Sequence, residues 1–229
     1  MHVKLLLLAA FKELECVAKG SIKGTKLESI EEVINKFAIY AAVASTTVLI
    51  PGIGGVISML TQTGLVWGTY VKINQELGIS MKENVIKFIA SAMLTNIATN
   101  IGTYIIAYLG AAILTLLPFA NVLAVALMAC IGYILIYVSA ILYLKLLTEV
   151  MGAKGSFDFD ESDEMKETIK NVVKNSNVKE MVKEAKKNFE EIKKSGEFDE
   201  ARKNMRCPYC GEELKKGQKF CSTYGHRLS

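Results

Sequence analysis

Two long stretches of this sequence contain no charged side chain. The first lies between Lys36 and Lys72 and is 35 residues long, and the second lies between Lys87 and Lys145 and is 57 residues long. Lysine and glutamate are frequent in the rest of the 229 residues. A disordered chain, a collagen-like fibre and a globular domain with evenly mixed charge do not show this pattern, so these three classes are excluded.

The chain also lacks the signs of several other protein classes. Its net charge of +4 is too small to predict nucleic-acid binding. Three of the five cysteines lie at metal-ligand spacing near the C-terminus and the other two are isolated, which excludes a secreted disulfide scaffold and suits a reducing compartment. The apolar run at residues 5–11 is short and has no small-residue cleavage site after it. We therefore expect an amphipathic helix over residues 3–19 rather than a signal peptide.

Helix-breaking residues interrupt each uncharged stretch. Pro51 and the glycines after it divide the first stretch, and Pro118 and Asn121 divide the second. The residue before a proline is biased away from helix, which favours a turn at each proline. One membrane span needs about 20 residues, and both stretches are longer than that. We therefore predict four apolar helices in two membrane hairpins, which turn at 51–55 and 117–121.

The two predicted hairpins differ in length. Both arms of the second exceed 20 residues, so both could cross a hydrocarbon core. The uncharged part of the first arm covers about 14 residues, or about 21 Å of helix. Whether residues 37–71 cross the membrane or lie shallowly in it stays open.

The distribution of charge predicts which side of the membrane the chain occupies. All charged residues lie in 1–36, 72–87 and 145–229, and both turns are uncharged. Two hairpins would put the charged regions on one face, where the flanking lysines indicate the cytoplasm. We expect a cell-membrane protein with both termini cytoplasmic. The alternative is a soluble or conditionally inserting bundle, in which residues 1–36 and 156–206 cover the apolar helices.

Small and polar residues within the stretches are candidates for helix packing. Gly64 and Gly68 form a GxxxG pattern, which lets two helix backbones approach closely. Thr95, Thr99 and Thr103 recur every four residues and form a polar stripe, which indicates hydrogen bonds between helices or, alternatively, the lining of a water-filled path. Neither stretch contains aspartate, glutamate, lysine, arginine or histidine, which argues against a pump or transporter.

An ordered series of features runs through the central part of the chain. It comprises an Ala-rich helix, AIYAAVAS, before Pro51, a second helix with Gln62, the segment ELGIS around Gly78, the turn LLPFAN at Pro118 and a last helix through Gly132. In this series, residues from about 31 to 150 resemble a helical domain family of unknown function that accompanies Era-like GTPases in bacteria. The resemblance implies membrane association and a GTPase partner, and it implies no enzymatic activity.

The chain shows no catalytic signature of its own. A phosphate-binding loop needs four residues between its two glycines and then Lys-Ser or Lys-Thr. Only three residues separate Gly20 from Gly24, and Thr-Lys follows. No other arrangement of nucleophile, base and catalytic metal is recognisable, so we predict a protein that is not an enzyme.

Two amphipathic stripes follow the apolar region. Residues 152–162 are rich in glycine, serine and acidic residues and indicate a boundary. Helical spacing then connects two sets of apolar residues: Met165, Ile169, Val172 and Val173, and Val178, Met181, Val182, Ala185, Phe189 and Ile192. Asn177 is the expected N-cap of the second helix. The stripes would pack on a neighbour or a second copy, or would lie on a membrane surface. The remaining alternative is that this segment is disordered.

The C-terminal segment CPYCGEELKKGQKFCSTYGHRL, residues 207–228, carries the most specific motif. It resembles the zinc ribbon family, whose pattern is CPxCGxxL followed by FCxxCGxxL, but Tyr224 stands where the fourth cysteine is expected. Structural zinc takes four ligands. His226 is the nearby substitute, so the predicted zinc ligands are Cys207, Cys210, Cys221 and His226. Two alternatives remain: a three-cysteine site completed by water or a partner, and a degenerate ribbon without metal.

These observations predict an all-α chain with a small C-terminal zinc ribbon. The predicted divisions are an N-terminal amphipathic helix and loop at 1–30, a membrane domain at 31–150, a charged helical linker at 151–205 and the ribbon at 206–229. The predicted function is that of a non-enzymatic integral membrane adaptor or scaffold whose cytoplasmic helices and ribbon bind a protein partner, a GTPase by resemblance. The alternative is an oligomeric protein that forms pores or remodels membranes.

Overall fold

A computed structural model of the chain describes residues 5–22, 27–45, 54–110 and 120–203. These residues form eight helices and no strand, which confirms the predicted all-α class. The helices are α1 (Leu5–Ala18), α2 (Leu27–Ser45), α3 (Gly54–Leu77), α4 (Glu83–Gly110), α5 (Ala120–Lys154), α6 (Asp163–Asn175), α7 (Val178–Ser195) and α8 (Glu197–Lys203).

The apolar helices follow the predicted order, with different ends. α2 packs on α3, and α4 packs on both α3 and α5. The predicted turns fall largely on residues 46–53 and 111–119, which lie outside the described residues. α4 begins five residues before the uncharged stretch, and α5 continues past Lys145 to Lys154. The charged residues at these ends are good helix formers, so the loss of apolar character does not end the helix.

α5 is the centre of the molecule. It contacts α1, α2, α3, α4, α6 and α7, and nearly every side chain from Ala129 to Met151 is buried. Three of its tyrosine hydroxyls each donate a hydrogen bond to a different helix: Tyr133 to Asn35 Oδ1 of α2 (3.1 Å), Tyr137 to Glu184 Oε1 of α7 (2.8 Å) and Tyr143 to Asn74 Oδ1 of α3 (2.8 Å). Buried phenol groups need such partners, so these bonds fix how the surrounding helices are arranged on α5.

A stacked tyrosine pair joins α3 to α5. The rings of Tyr70 and Tyr143 lie 3.9 Å apart between centroids and are inclined by 8°. The Tyr70 hydroxyl donates to the Ser139 carbonyl oxygen at 3.2 Å. Both rings are fully buried, so they contribute apolar area while their hydroxyls remain hydrogen-bonded.

The first helix is the amphipathic helix that the sequence predicts. Its buried residues, Leu7, Ala10, Phe11, Leu14 and Ala18, lie on one face. That face packs on α5. At its start, the backbone N–H of Leu6 donates to Glu184 Oε2 of α7 at 3.2 Å. A carboxylate at a helix N-terminus satisfies a free donor and interacts favourably with the helix dipole.

The two predicted amphipathic helices are present and pack within the chain. Asn177 caps α7 by accepting from the Glu180 N–H at 3.4 Å, as predicted, and Gly196 (φ 86°) ends it in the left-handed conformation. The stripes are buried except for Ile192, which is half-buried. α6 packs on α4 and α5, and α7 packs on α5. The described residues after 151 therefore share one hydrophobic core with the apolar helices.

Candidate functional site

The charged helices lie together at one part of the apolar bundle. We call this part the base: it comprises α1, α2 and α6–α8 with residues 62–77 of α3, 83–99 of α4 and 130–154 of α5. We call the opposite hairpin ends the tips: residues 54–61 of α3, 100–110 of α4 and 120–129 of α5. The candidate site residues lie at the boundary between base and tips or in the C-terminal segment.

α2 and α5 approach most closely at Gly132. A Cβ atom added to Gly132 would overlap Ser45 Oγ and the Ala41 carbonyl oxygen, and it would lie 2.8 Å from the Ala41 carbonyl carbon. Two of these three atoms belong to the α2 backbone, which cannot move aside without displacing the helix. Only glycine fits this contact.

Gln62 brings α3 into the same contact. Its side chain is 7% exposed, and Nε2 donates to Ser45 Oγ at 2.7 Å and to the Ala41 carbonyl oxygen at 3.3 Å. We refer to Ala41, Ser45, Gln62 and Gly132 as the three-helix junction. The junction joins α2, α3 and α5 through a polar contact inside an apolar bundle. In the sequence, Gln62 and Gly132 stand out only as features of the resemblance. A glycine in the middle of an apolar helix is the signal that could have identified this close approach.

The predicted GxxxG pair lies near the junction on α3. Gly68 is buried and Gly64 is half-buried. α3 packs against α2, α4 and α5. The two glycines therefore lie in a packed helix, and the close backbone approach that the structure describes in detail is the one at Gly132.

The predicted threonine stripe faces outward where the structure describes it. Thr95 and Thr99 are exposed, and their hydroxyls donate to the backbone of their own helix, at Ser91 O (2.9 Å) and Thr95 O (2.8 Å). Both bonds are therefore internal to α4 and join no second helix. The side chain of Thr103 lies outside the described residues.

α6 runs beside α4 at the level of this stripe. A shallow groove between the two helices is lined by Thr95 and Asn96 on one side and by Lys166 and Lys170 on the other. Charged side chains therefore accompany α4 as far as the stripe, although α4 itself carries no charge beyond Lys87.

α7 carries charged side chains beside α5. The Phe189 ring lies 5.5 Å from the Tyr133 ring, between centroids. One turn towards the tip, Cys130 has charged side chains of both signs in its surroundings, from Lys186, Glu190 and Lys193. We call Lys166, Lys170, Lys186 and Lys193 the lysine collar. The first three are each paired with a carboxylate of their own helix: Asp163, Glu167 and Glu190. The collar marks where the base ends.

The only tryptophan of the chain lies within the base. Trp67 is 9% exposed, and Lys87 Nζ lies 5.1 Å above its ring centroid. This is a cation–π contact. Lys87 also pairs with Glu83 at 2.6 Å. The last charge before the long uncharged stretch is therefore held against α3.

Two exposed aspartates support the start of α6. The Ser162 hydroxyl and N–H both donate to the carboxylate of Asp160, which lowers the pKa of Asp160. Lys166 pairs with Asp163 at 2.7 Å, and this hydrogen bond lowers the pKa of Asp163. Ser162 in turn caps α6 by accepting from the Met165 N–H at 3.1 Å. These contacts hold the end of α6 that leads into the groove on α4.

The predicted zinc ligands Cys207, Cys210, Cys221 and His226 lie outside the described residues. Within the part of the chain that the structure describes, no three histidine, cysteine, aspartate or glutamate side chains come together as a metal site. The two cysteines there are free thiols: Cys16 is exposed and Cys130 is buried.

One described helical segment is long and apolar enough to cross a membrane. It is Ala126–Lys154 of α5, and 78% of its most apolar window is buried within the chain. Its apolar character therefore has an explanation in protein packing. The comparisons with known proteins found no protein-family model, no curated protein and no solved structure that matches this chain.

Proposed function

We propose that this chain is a non-enzymatic membrane adaptor: the hairpin tips hold it in the membrane, and its charged helices and C-terminal ribbon bind a protein partner. The observation that carries the proposal is the separation of charge along the molecule. Every charged residue of the described helices belongs to the base, whereas the sequence from 88 to 144 contains none.

The tips support membrane binding better than the centre of α5 does. Packing of α1, α2, α3, α6 and α7 accounts for the apolar side chains of α5 from Ala129 to Met151. The apolar ends near residues 100–125 carry no charged residue, and their side chains lie largely outside the described part of the chain. A bilayer is the environment that suits uncharged helical hairpins.

The lysines favour the cytoplasmic face of the cell membrane. The described lysines lie in the base, including those of the lysine collar. Lysine and arginine remain cytoplasmic near membrane segments. On this proposal, both termini are cytoplasmic, and the thiol ligands of the ribbon share that reducing compartment.

The ribbon is the proposed partner-binding module. Cys207, Cys210, Cys221 and His226 would hold one zinc ion, which would supply much of the folding free energy of so short a segment. A GTPase is the proposed partner through the resemblance of residues 31–150. Nucleic acid is a weaker candidate because the chain carries only a small net positive charge.

A membrane fractionation with an alkaline carbonate wash tests the anchor. The full chain should stay in the washed pellet and should need detergent for release. Recovery as a monodisperse protein in the supernatant would refute the anchor and favour a soluble bundle. Chemical crosslinking in membranes would then identify partners, with Cys207→Ser and Cys210→Ser as the variant that disables the ribbon and Cys16→Ser as the matched control.

Zinc binding is measured separately on the purified full chain. We expect one zinc ion per chain, lost in the Cys207→Ser variant and retained in Cys16→Ser. If His226 is the fourth ligand, His226→Gln should weaken zinc binding and Tyr224→Cys should restore it in that background. An unchanged zinc content in His226→Gln would leave the three-cysteine site, and no zinc in the native chain would identify a degenerate ribbon.

A second candidate function is an oligomeric protein that forms pores or remodels membranes. The observation that favours it is the exposure of Thr95 and Thr99 on α4, which leaves this face open to a second copy. Ion flux across vesicles distinguishes the two functions, because an adaptor should produce none.

A further inference from the structure

α7 carries charged side chains along a part of α5 that has no charge of its own. The Phe189 ring of α7 packs on the Tyr133 ring, and the neighbouring residues Lys186 and Glu190 form an ion pair. The nearest charged residue of α5 is Lys145, which lies 12 residues or about 18 Å farther along the helix. α7 therefore brings charge well beyond the point where the charge of α5 itself ends.

α6 does the same on α4. Lys166 and Lys170 line the groove beside Thr95 and Asn96. The last charge of α4 itself is Lys87, which lies eight residues or about 12 Å before Thr95. Charged side chains are costly in the hydrocarbon core, and pairing with a carboxylate does not remove that cost. While α6 and α7 are docked, they therefore keep the adjoining lengths of α4 and α5 out of a bilayer.

Without α6 and α7, the same two helices are long enough to cross a bilayer. Residues 88–110 of α4 and 120–144 of α5 are continuous helix and carry no charge. At 1.5 Å per residue these lengths are at least about 34 Å and about 37 Å, whereas the hydrocarbon core is about 30 Å thick. The charges that limit insertion would then be those of the apolar helices themselves, at Lys87 and Lys145.

The polar side chains on the groove face of α4 do not depend on α6. Thr95, Asn96 and Thr99 each donate to a carbonyl oxygen of their own helix, at 2.9, 2.9 and 2.8 Å. Polar groups that are already hydrogen-bonded cost less to transfer into an apolar environment. On α5, release of α7 breaks the bond between Tyr137 and Glu184, so this bond favours the docked arrangement.

The buried stripes of α6 and α7 suit a lipid surface as well as they suit the base. Each helix has apolar residues on one face and lysine and glutamate on the other. In water, release would expose the apolar face, which keeps both helices docked. On a membrane, this face can enter the interface while the charged face stays in water. Residues 155–162 between α5 and α6 are not helical, so α6 can turn away without a break in α5.

We propose that α6, α7 and α8 form a releasable cover: on membrane binding they leave α4 and α5 and lie on the lipid surface, and the uncharged lengths of α4 and α5 then insert. α8 belongs to the cover because its Phe198 packs on Phe189 of α7, with ring centroids 5.6 Å apart. This inference rests on the proposed membrane anchor and adds a change of conformation to it. The docked arrangement is the form of the protein in water.

A photoreactive residue on α7 tests the release. Lys186 lies in the surroundings of Cys130, so Lys186→benzoylphenylalanine should crosslink to α5 in the docked form. Lys187→benzoylphenylalanine is the matched control, because this neighbouring position is exposed. Each full-length variant is made by cell-free synthesis without membranes, and its helicity is compared with that of the native chain. The protein is then mixed with preformed vesicles of phosphatidylglycerol and phosphatidylcholine and is irradiated either before or after mixing.

The native tryptophan reports how far the hairpin inserts. Lys87 Nζ lies 5.1 Å above the Trp67 ring, so Trp67 marks where the charge of α4 ends. If α4 inserts as far as Lys87, lipids that are brominated near the headgroup should quench the fluorescence of Trp67. While the cover is docked, Trp67 stays farther from the lipid and should not be quenched.

We expect vesicles to quench Trp67 when the protein has not been irradiated first. Irradiation after mixing should then give lipid adducts in place of most of the α5 adduct. Irradiation before mixing fixes α7 on α5, so quenching should be lost in proportion to the crosslinked fraction that mass spectrometry measures. The Lys187 variant should be quenched equally with and without prior irradiation. Full quenching despite the α5 crosslink, or an α5 adduct that vesicles do not diminish, would overturn the release.

Vesicle flotation separates this inference from the proposed function. If the protein floats with the vesicles, retains the α5 adduct and leaves Trp67 unquenched, the membrane anchor stands and only the release of the cover is overturned. If the protein does not float, the anchor and the release both fail.

Discussion

The base and the tips use the same apolar helices in two different ways. In the base, α5 is apolar because other helices of the chain cover it, and its hydroxyl groups each have a partner in the chain. The arms at residues 100–110 and 120–129 carry no charge and extend beyond the lysine collar. The comparison shows that the length of an uncharged stretch has two parts: helix that other parts of the chain bury, and the remainder, which the proposed anchor assigns to lipid.

This distinction changes how the 57-residue stretch is understood. Counted from charge to charge, its two arms are long enough to cross a bilayer. Part of each arm packs on α6 or α7, so protein packing explains that part of its apolar character. The amphipathic helices that follow the stretch therefore change how its lack of charge is interpreted.

The largest expected difference between base and tips comes from glycine substitutions. Gly132→Ala should lower the free energy of unfolding by about 1–3 kcal/mol, because the new methyl group overlaps Ser45 and the Ala41 carbonyl group. Gly102→Ala is the matched control: a Cβ there meets no described atom within 4 Å, so the higher helix propensity of alanine should stabilise α4 by up to about 1 kcal/mol. Thermal unfolding followed by circular dichroism in detergent measures both, and changes of the same sign would contradict the close approach.

A smaller loss is expected when a buried hydroxyl of the base is removed. Tyr143→Phe keeps the ring stacked on Tyr70 but leaves Asn74 Oδ1 without this donor, which should cost about 1–2 kcal/mol. The same unfolding measurement is made on Asn74→Leu and on the double variant. The double variant should lose less than the sum of the two single variants, because they remove the same hydrogen bond. Additive losses would show that the hydroxyl and Asn74 act independently.

Local patterns in the sequence predict much of this fold. The prolines and the absence of charge predict the order of the apolar helices, and helical periodicity predicts the buried faces of α6 and α7, because each of these signals lies within one segment. Asn177 is identified as a cap for the same reason. The residues that cover each stripe cannot be predicted in this way. Amphipathic periodicity shows that a face is buried, but it does not identify the neighbouring helix.

The candidate site shows the same limit. Gly64 and Gly68 are recognisable because they form a spaced pair, whereas Gly132 stands alone and its importance depends on Ala41 and Ser45, about 90 residues away in sequence. The threonine stripe is visible in the sequence, but its orientation depends on which face of α4 the neighbouring helices cover. The lysine collar combines residues of two helices and appears only when both are packed.

A weaker effect is expected from the contact that joins α1 to the base. Glu184→Gln retains an acceptor for the Tyr137 hydroxyl but removes the negative charge next to the Leu6 N–H, which should cost about 0.3–1 kcal/mol. Hydrogen exchange should become faster in α1 while the amides of α5 change little. Glu180→Gln is the control, because Glu180 lies on the exposed face of the same helix and pairs with Lys183. A similar effect in both variants would mean that the contact with α1 has no special role.

The smallest expected effect is a pH dependence at the start of α6. Hydrogen bonds from Ser162 hold the pKa of Asp160 below its ordinary value, so the folded chain binds fewer protons here than the unfolded chain. The contribution of Asp160 to folding stability is therefore complete above the unfolded pKa and is lost as the pH falls through the folded pKa. The unfolding temperature of the native chain should therefore fall slightly more steeply in acid than that of Asp160→Asn. Asp158→Asn is the control in the same segment. The dependence of the unfolding temperature on pH should differ between Asp160→Asn and the native chain only in acid, since above that range Asp160 is ionised in both the folded and the unfolded state. Identical acid slopes for all three proteins would show that the Asp160–Ser162 contact does not contribute to the stability of the base.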